Sequence, residues 1–394
     1  MYSSSVQYIG THDTEIDLFE GQYQLLDGVC YNSYVILDEK VVVMDTVDAR
    51  CHADYEKNLL GALGGRKPDY LVVSHVEPDH ASSLRFFLDL FPDVCIVGNV
   101  KTFQLLENYF DLGDTKRLVV KEGDVLETGT HRLNFVTAPM VHWPEVMMTY
   151  EETEKILFSA DAFGRFGSRD EDAADPAFWD DDARRYYLNI VGKYGPQVQA
   201  VLKKAAGLDI QTICPLHGPD LDATIGHVLE KYNCWSTYTP EDNTVLVAYA
   251  SLHGNTAAVA EKIADGLDQR LGRDIFFADL ARDDASETLA TAFRCSHLVL
   301  CASTYNAGLM PFMDDLLHHL KAKNFQGRTV ALVENGSWAP MAAKCMKAEL
   351  EGMKNITVLE PTLTIRGALK ESDREPLDAL VQAVTDSVLA CDKD

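Results

Sequence analysis

Beyond about residue 240 the chain alternates apolar runs with helix-length segments. The runs are TVLVAYAS, DIFFADLA, HLVLCAS, TVALVEN and ITVLEPTL. A continuously apolar strand is buried on both faces, and an intervening helix returns the chain to run in the same direction. The alternation therefore predicts a doubly wound parallel sheet with helices on both sides. The preceding residues have a different rhythm. Short strand-like runs (YNSYVILD, KVVVMD, DYLVVS, VCIVG, KRLVVK, RLNFVTA, VMMTYEE, KILFSA) are interspersed with helical patterns such as ASSLRFFLDLF and KTFQLLENYF. That mixture predicts layered α/β structure, with sheets flanked by helices. One longer helical stretch, ARRYYLNIVGKYGPQVQAVLKKAAG, follows it. The polar, proline-containing interval STYTPEDN (236–243) separates the two rhythms, which places domains at 1–240 and 241–394. No internal repeat is evident.

Composition narrows the partners. A formal net charge of −26 argues against nucleic acid or an anionic membrane surface. The N-terminus has neither a basic segment nor an apolar one of the kind that directs export, and no apolar run is long enough to span a bilayer. The nine cysteines include no Cys-x-x-Cys pair. Their spacing opposes a disulfide framework, a zinc ribbon, a rubredoxin-type iron site or an iron–sulfur cluster. Free thiols in a reducing cytoplasm are the expectation.

The stretch SHVEPDHASS (74–83) places His75, Glu77, Asp79 and His80 within six positions, just after the apolar run DYLVV. An extended start to this loop would send His75, Glu77 and Asp79 the same way, and His80 would open the next helix. Pro78 restricts Glu77 to an extended conformation. Four such groups this close serve two metals better than one crowded metal. Three further candidates follow strand-like runs: His142 after RLNFVTAPMV, Asp161 at the end of KILFSAD, and His217 at the end of DIQTICPLH. Singly, each has an ordinary explanation as a packed histidine, a turn cap or a loop hydrogen bond. As a set of four imidazoles and three carboxylates without a thiolate, they suit iron or manganese better than structural zinc.

In the second domain the run SLHGNT (251–256) leads from a strand into a helix. The hydroxyls of Ser251 and Thr256 and the backbone N–H groups around His253, Gly254 and Asn255 would cradle a phosphate, with Gly254 allowing close approach. Neither a dinucleotide nor a nucleoside-triphosphate glycine motif is present. Two more loops leave the ends of predicted strands. One carries Ser303, Thr304, Tyr305, Asn306 and Gly308; the other carries Asn335, Gly336, Ser337 and Trp338. They suit a flat aromatic ring gripped by backbone and aromatic contacts. In its strand count and all three loop positions the domain resembles flavodoxin, and the resemblance implies that FMN binds at the switch point of a sheet of order 2-1-3-4-5.

The runs SHVEPDH, VHWPE, LFSADAFG and CPLHGP together resemble the diiron site of the flavodiiron proteins, or A-type flavoproteins, and the resemblance extends over nearly the whole chain. It implies a metallo-β-lactamase-like αββα sandwich followed by a flavodoxin-like domain. It also implies that His75, Glu77 and His142 bind one iron, that Asp79, His80 and His217 bind the other, and that Asp161 bridges them, with no catalytic residue beyond these ligands. Zinc hydrolases of the metallo-β-lactamase type carry a histidine where this chain has Glu77. The added carboxylate favours the higher oxidation state, which zinc cannot use. Glu145 stands where the family commonly has an aspartate, a change behind the ligands rather than in their number. His253 stands where the flavodoxin loop often has a hydroxyl or a larger apolar residue.

The expected activity is reduction of dioxygen to water, of nitric oxide to nitrous oxide, or of both, with FMN supplying electrons. A head-to-tail homodimer or dimer of dimers is implied. No rubredoxin or flavin reductase module follows the final helical pattern DREPLDALVQAVTDSVLA, so a separate donor, by analogy a rubredoxin, is expected. Two other readings remain at this stage. One is a dimetal zinc hydrolase with a flavodoxin-like appendage, which Glu77 opposes. The other is a non-catalytic gas sensor or electron carrier, opposed by the filling of all seven ligand positions.

Overall fold

The computed structural model describes residues 4–392. The chain forms two compact units, the first extending to Asn233 and the second beginning at Cys234. In the first unit, six strands form a mixed sheet in the order Val6–Tyr8, Tyr34–Leu37, Val41–Met44, Tyr70–Val72, Cys95–Gly98 and Lys116–Val119. The first three pair antiparallel and the remainder parallel. Five strands form a second sheet in chain order: Val125–Glu127, Arg132–Thr137, Met147–Glu151, Ile156–Phe158 and Thr212–Cys214. Only its last pair is parallel.

Strand alternation explains how the two sheets meet. Tyr34 and Ile36, Val42 and Met44, Leu133 and Phe135, and Ile156 and Phe158 each point to one face, and all enter a single core with Val72, Val97 and Met147. The helices bury spaced apolar positions, such as Tyr55, Leu59 and Leu63 of His52–Leu63. The long helical stretch expected after residue 183 is instead broken into four pieces. Helix Pro176–Tyr186 passes into a π-helical turn at Tyr187–Val191, then a 3₁₀ turn at Gly192–Tyr194, then helix Gly195–Ala205. Pro196 lacks an N–H to continue a helix through it, and it sits in the first turn of the new helix, where none is required.

The second unit is a parallel sheet in the order Phe276–Asp279, Asp242–Ala250, Cys295–Tyr305, Thr329–Asn335 and a fifth position. The expected fifth strand, ITVLEPTL, is two short ones, Thr357–Val358 and Leu363–Ile365, both parallel to Thr329–Asn335. Pro361 lies between them and has no N–H for the ladder. Helices Asn255–Leu271 and Arg374–Cys391 bury Val259, Ile263 and Leu267, and Leu380, Val384 and Val388, against Val245, Val247, Val299 and Val333 of the sheet. At Gly266 a Cβ would come within 3.2 Å of Val381, so a glycine permits this close packing. Among the described residues no helix is long and apolar enough to cross a membrane.

His297 lies in this core, 1% exposed, with its ring nitrogens 2.7 Å from Ser296 Oγ and 2.9 Å from Ser387 Oγ. Burial pushes its pKa down from 6.5 to about 4. Below the unfolded value the unfolded chain binds the proton and the folded one does not, so stability falls as pH falls, until about pH 4. Chemical denaturation of the second unit should show a loss of about 2 kcal/mol between about pH 7 and about pH 5 attributable to this group. The loss should be absent from His297→Gln, and an equal pH slope in the variant would contradict the assignment.

Candidate metal centre and the loop face of the second unit

The metal-binding candidates converge at one end of the two-sheet sandwich because each follows a strand of it. Strand Tyr70–Val72 runs into the loop carrying His75, whose entry is fixed by the Asp45 carboxylate. Asp45 Oδ1 accepts from Ser74 N–H at 2.6 Å and His75 N–H at 3.4 Å. The alternation expected of the loop holds for His75 and Glu77 only. Glu77 is extended (φ −55°, ψ 139°), and Pro78 then starts a helical turn, Pro78–Ala81, that already contains Asp79 and His80. Strands Arg132–Thr137, Ile156–Phe158 and Thr212–Cys214 lead to His142, Asp161 and His217.

All seven side chains come together, in two groups: His75, Glu77, His142 and Asp161, and Asp79, His80 and His217, the facing atoms of each group lying within 4.8 Å of one another. Glu77 Oε2 is 3.1 Å from His75 Nε2 and 3.0 Å from His142 Nε2. Asp79 Oδ2 is 3.3 Å from Nε2 of both His80 and His217. Asp161 faces both groups. Its Oδ2 is 3.0 Å from His142 Nε2 and 3.5 Å from His75 Nε2, and its Oδ1 is 3.2 Å from His80 Nε2 and 3.7 Å from His217 Nε2.

The backing groups set the tautomers. His75 Nδ1 donates to Glu145 Oε1 at 2.8 Å, and His217 Nδ1 donates to the Cys30 carbonyl at 2.8 Å. With the proton on Nδ1, each neutral ring turns a bare Nε2 lone pair into the pocket. Ring nitrogens of His80 and His217 approach to 3.1 Å. Both oxygens of Asp79, Oδ1 of Asp161 and Nδ1 of His80 are buried without a hydrogen-bond partner among the described residues. Each such group costs about 1–3 kcal/mol when left unmet. Converging lone pairs and orphaned carboxylate oxygens are what a pair of cations resolves, so the donor set fits two metal ions.

Without a metal, the carboxylates favour a second proton on the imidazoles of the first group, in the place a cation would take. Burial opposes a charged His75, but Asp161, Glu145 and Glu77 outweigh it and hold its pKa well above the usual value. Burial likewise opposes a charged His142, which Asp161 and Glu77 nevertheless raise to about 9. Burial works against the Asp161 and Glu77 carboxylates, yet the surrounding imidazoles keep both below the ordinary carboxylate range.

Two residues of the pocket carry no sequence signal. A cavity of about 460 Å³ opens beside Glu77 and Asp79, lined also by Phe19, Tyr31, Asp48 and Glu20. Glu20 lies in a turn with Gly21, both at positive φ, so it reads as an ordinary polar turn residue. Desolvation and the neighbouring Glu77 charge push its carboxyl up to about 7. Tyr186, at the end of helix Pro176–Tyr186, packs its ring 5.4 Å from that of His217. Its buried hydroxyl has no hydrogen-bond partner among the described residues. In sequence it is one of two adjacent tyrosines in an amphipathic stretch.

In the second unit, strands Asp242–Ala250, Cys295–Tyr305 and Thr329–Asn335 are parallel, so the three expected loops leave the same edge. Gly254 (φ 83°) ends the first loop, and Ser251 Oγ accepts from its N–H at 3.1 Å. His253 and Asn255 are exposed there. Thr256 departs from expectation: its hydroxyl is buried and lies 2.9 Å from Ser303 Oγ, bracing one loop against the next. Thr304 Oγ1 accepts from the N–H groups of Met341 and Ala342 at 2.9 and 3.3 Å, at the start of helix Ala342–Glu351. Asn306 and Ala307, both at positive φ, turn the chain so that Gly308 pairs with Tyr305, the geometry of a two-residue hairpin. Asn335 pairs with Gly367 at 2.9 and 3.0 Å, which adds a fourth loop that the sequence reading missed. Gly336, Ser337 and Trp338 follow. Trp338 is 82% exposed and Tyr305 42%, leaving two large rings uncovered at this edge.

Replacing Asp161, the side chain facing both groups, by alanine should reduce tightly held metal from two equivalents per chain to one or fewer. Elemental analysis of the purified proteins reads this directly, and full retention would contradict a shared ligand.

The comparisons match this architecture in both halves. A model described as ODP family beta lactamase matches residues 29–218, and a flavodoxin model matches 247–378. The anaerobic nitric oxide reductase flavorubredoxin of Escherichia coli is 30% identical over 358 residues, 88% of this chain and 74% of that protein. The structure is similar to the flavodiiron protein of Giardia intestinalis (TM-score 0.92, 25% identity, 99% of this chain and 96% of that one). It is also similar to the rubredoxin oxygen:oxidoreductase of Desulfovibrio gigas (TM-score 0.89, 25% identity, 99% and 98%). With both domain models matched in turn and an alignment over most of its length, the chain belongs to the flavodiiron protein family.

Proposed function

We propose that this chain is an oxidoreductase that reduces dioxygen to water, nitric oxide to nitrous oxide, or both, at a diiron centre supplied with electrons by FMN. The observation that carries the reading is Asp161, whose two carboxylate oxygens face two separate imidazole–carboxylate groups. In this assignment His75, Glu77 and His142 would hold one iron, Asp79, His80 and His217 would hold the other, and Asp161 would serve both. Iron there supplies one-electron chemistry at two adjacent positions, which suits a diatomic ligand or a pair of them.

The chain's own groups do the rest. Full burial of His75, His80, Asp161 and His217 keeps bulk water from the ligand atoms, and the cavity beside Glu77 gives a small gas its entry. Reduction of dioxygen to two waters consumes four electrons and four protons; coupling of two nitric oxides to nitrous oxide and water consumes two of each. Glu20 and Asp48 at that cavity are the acidic groups placed to carry protons inward.

In the second unit, Gly254 and the exposed His253 and Asn255 frame the phosphate position. Tyr305, Asn306, Gly308, Gly336, Ser337 and Trp338 frame the ring, and Ser251, Thr256, Ser303, Thr304 and Asn335 hold these loops in place. A separate rubredoxin-type donor, a head-to-tail homodimer and a cytoplasmic location complete the proposal. Dioxygen is the favoured substrate within it, with nitric oxide reduced as well.

Iron- and FMN-loaded protein, reduced without air and mixed separately with each gas, should be reoxidised rapidly by dioxygen, and nitric oxide should yield nitrous oxide. Failure of both gases to reoxidise it overturns the proposal. Glu77→His restores the ligand type of a zinc hydrolase and should abolish iron redox cycling while raising zinc content. Gas reduction at the original rate by that variant would refute the role given to Glu77.

A further inference from the structure

The two halves of the metal pocket are backed by different hydrogen-bond partners. Behind the first group, His75 Nδ1 donates to Glu145, whose side chain is fully buried. The same oxygen accepts from Val76 N–H at 2.9 Å, while the other, Oε2, has no hydrogen-bond partner among the described residues. The carboxylate charge is therefore held in a dry site and only partly met, next to an imidazole that can receive it. Its position is rigid, because Asn99 Nδ2 donates to the Glu145 carbonyl at 2.6 Å while Asn99 also caps helix Val100–Tyr109. Behind the second group, among the described residues, neither histidine hydrogen-bonds a carboxylate through Nδ1, and the buried Asp45 carboxyl acts on His80 only through space. His217 Nδ1 donates to a neutral carbonyl, that of Cys30, and His80 Nδ1 has no hydrogen-bond partner among the described residues.

A carboxylate accepting from a ligand histidine raises the basicity of the ring and passes negative charge towards the metal; a carbonyl does so less. The effect is larger in a low-dielectric interior than in water. We infer that Glu145, acting through His75, makes the metal held by His75, Glu77 and His142 the more electron-rich of the pair, so that it is oxidised first, while its neighbour at Asp79, His80 and His217 stays reduced longer. This rests on the diiron reading of the pocket. Each oxidation is the loss of one electron from a ferrous ion, taken by the gas in turnover and by the mediator in a titration. Glu145 touches neither metal nor gas in this account; it is a positioning residue whose charge reaches the metal through a ligand.

The test is an anaerobic redox titration of the iron- and FMN-loaded protein, followed by EPR and by Mössbauer spectroscopy of ⁵⁷Fe. The wild type should show two separated one-electron iron midpoints and accumulate the half-oxidised pair between them. Glu145→Gln keeps the shape and removes the charge. It should raise the lower midpoint by an amount equivalent to about a tenfold change in the oxidation equilibrium, about 59 mV for one electron. The upper midpoint should move less, and the half-oxidised form should accumulate less. Glu145→Asp keeps the charge at a longer reach and should move the same midpoint the same way by a smaller amount.

A half-oxidised form that never accumulates in the wild type would overturn the inference. So would equal shifts of both midpoints in a Glu145→Gln protein that retains two irons, or no shift at all. If Glu145→Gln does not hold iron, unchanged midpoints in Glu145→Asp overturn it instead. The failure of the underlying reading looks different: a protein with no redox-active iron pair gives no iron midpoints to compare.

Discussion

Three carboxylates and four imidazoles point their free electron pairs into one buried volume. Without a cation this arrangement is unfavourable, since the carboxylates lose water and several of their oxygens find no hydrogen-bond partner among the described residues. Much of the first unit's loop structure follows from the need to hold it. Asp45 fixes the start of the His75 loop, Glu145 and the Cys30 carbonyl fix two ring orientations, and Phe19 and Tyr186 pack against the His217 ring. The sandwich supplies strand ends that converge, and the loops supply the chemistry.

The second unit solves a different problem with the same device of strand ends. Its hydroxyl and amide side chains mostly hold the loops to one another: Thr256 to Ser303, Thr304 to the helix beginning at Ala342, and Asn335 to Gly367. What they leave free is backbone, glycine and two exposed aromatic rings. Such a face recognises a flat ring by shape and stacking and a phosphate by N–H groups, which suits a flavin mononucleotide. The division between bracing and binding residues is therefore finer than a list of loop positions suggests.

The parallel sheet was legible because its strands are apolar throughout and evenly spaced by helices. That these seven side chains would converge was legible because four of them sit in six positions and the others each end a strand-like run. The breaks were harder to see. Pro361 divides the fifth strand, and the helical pattern after residue 183 changes its winding at Tyr187 and restarts at Gly195, both where backbone hydrogen bonding overrides apolar periodicity. Glu20 and Tyr186 were invisible for another reason. Neither carries a motif, and each comes to the pocket only through tertiary packing of segments far away in sequence. The Gly367 loop was missed because its preceding strand is three residues long.

The central claim is that one pocket holds two redox-active iron ions on either side of the Asp161 carboxylate. Anomalous diffraction from crystals of the iron-loaded protein, measured across the iron edge, tests it most directly. The account predicts two iron peaks per chain, one beside His75, Glu77 and His142 and the other beside Asp79, His80 and His217, with Asp161 between them. A single peak, or two peaks that respond at the zinc edge and not at the iron edge, would contradict it.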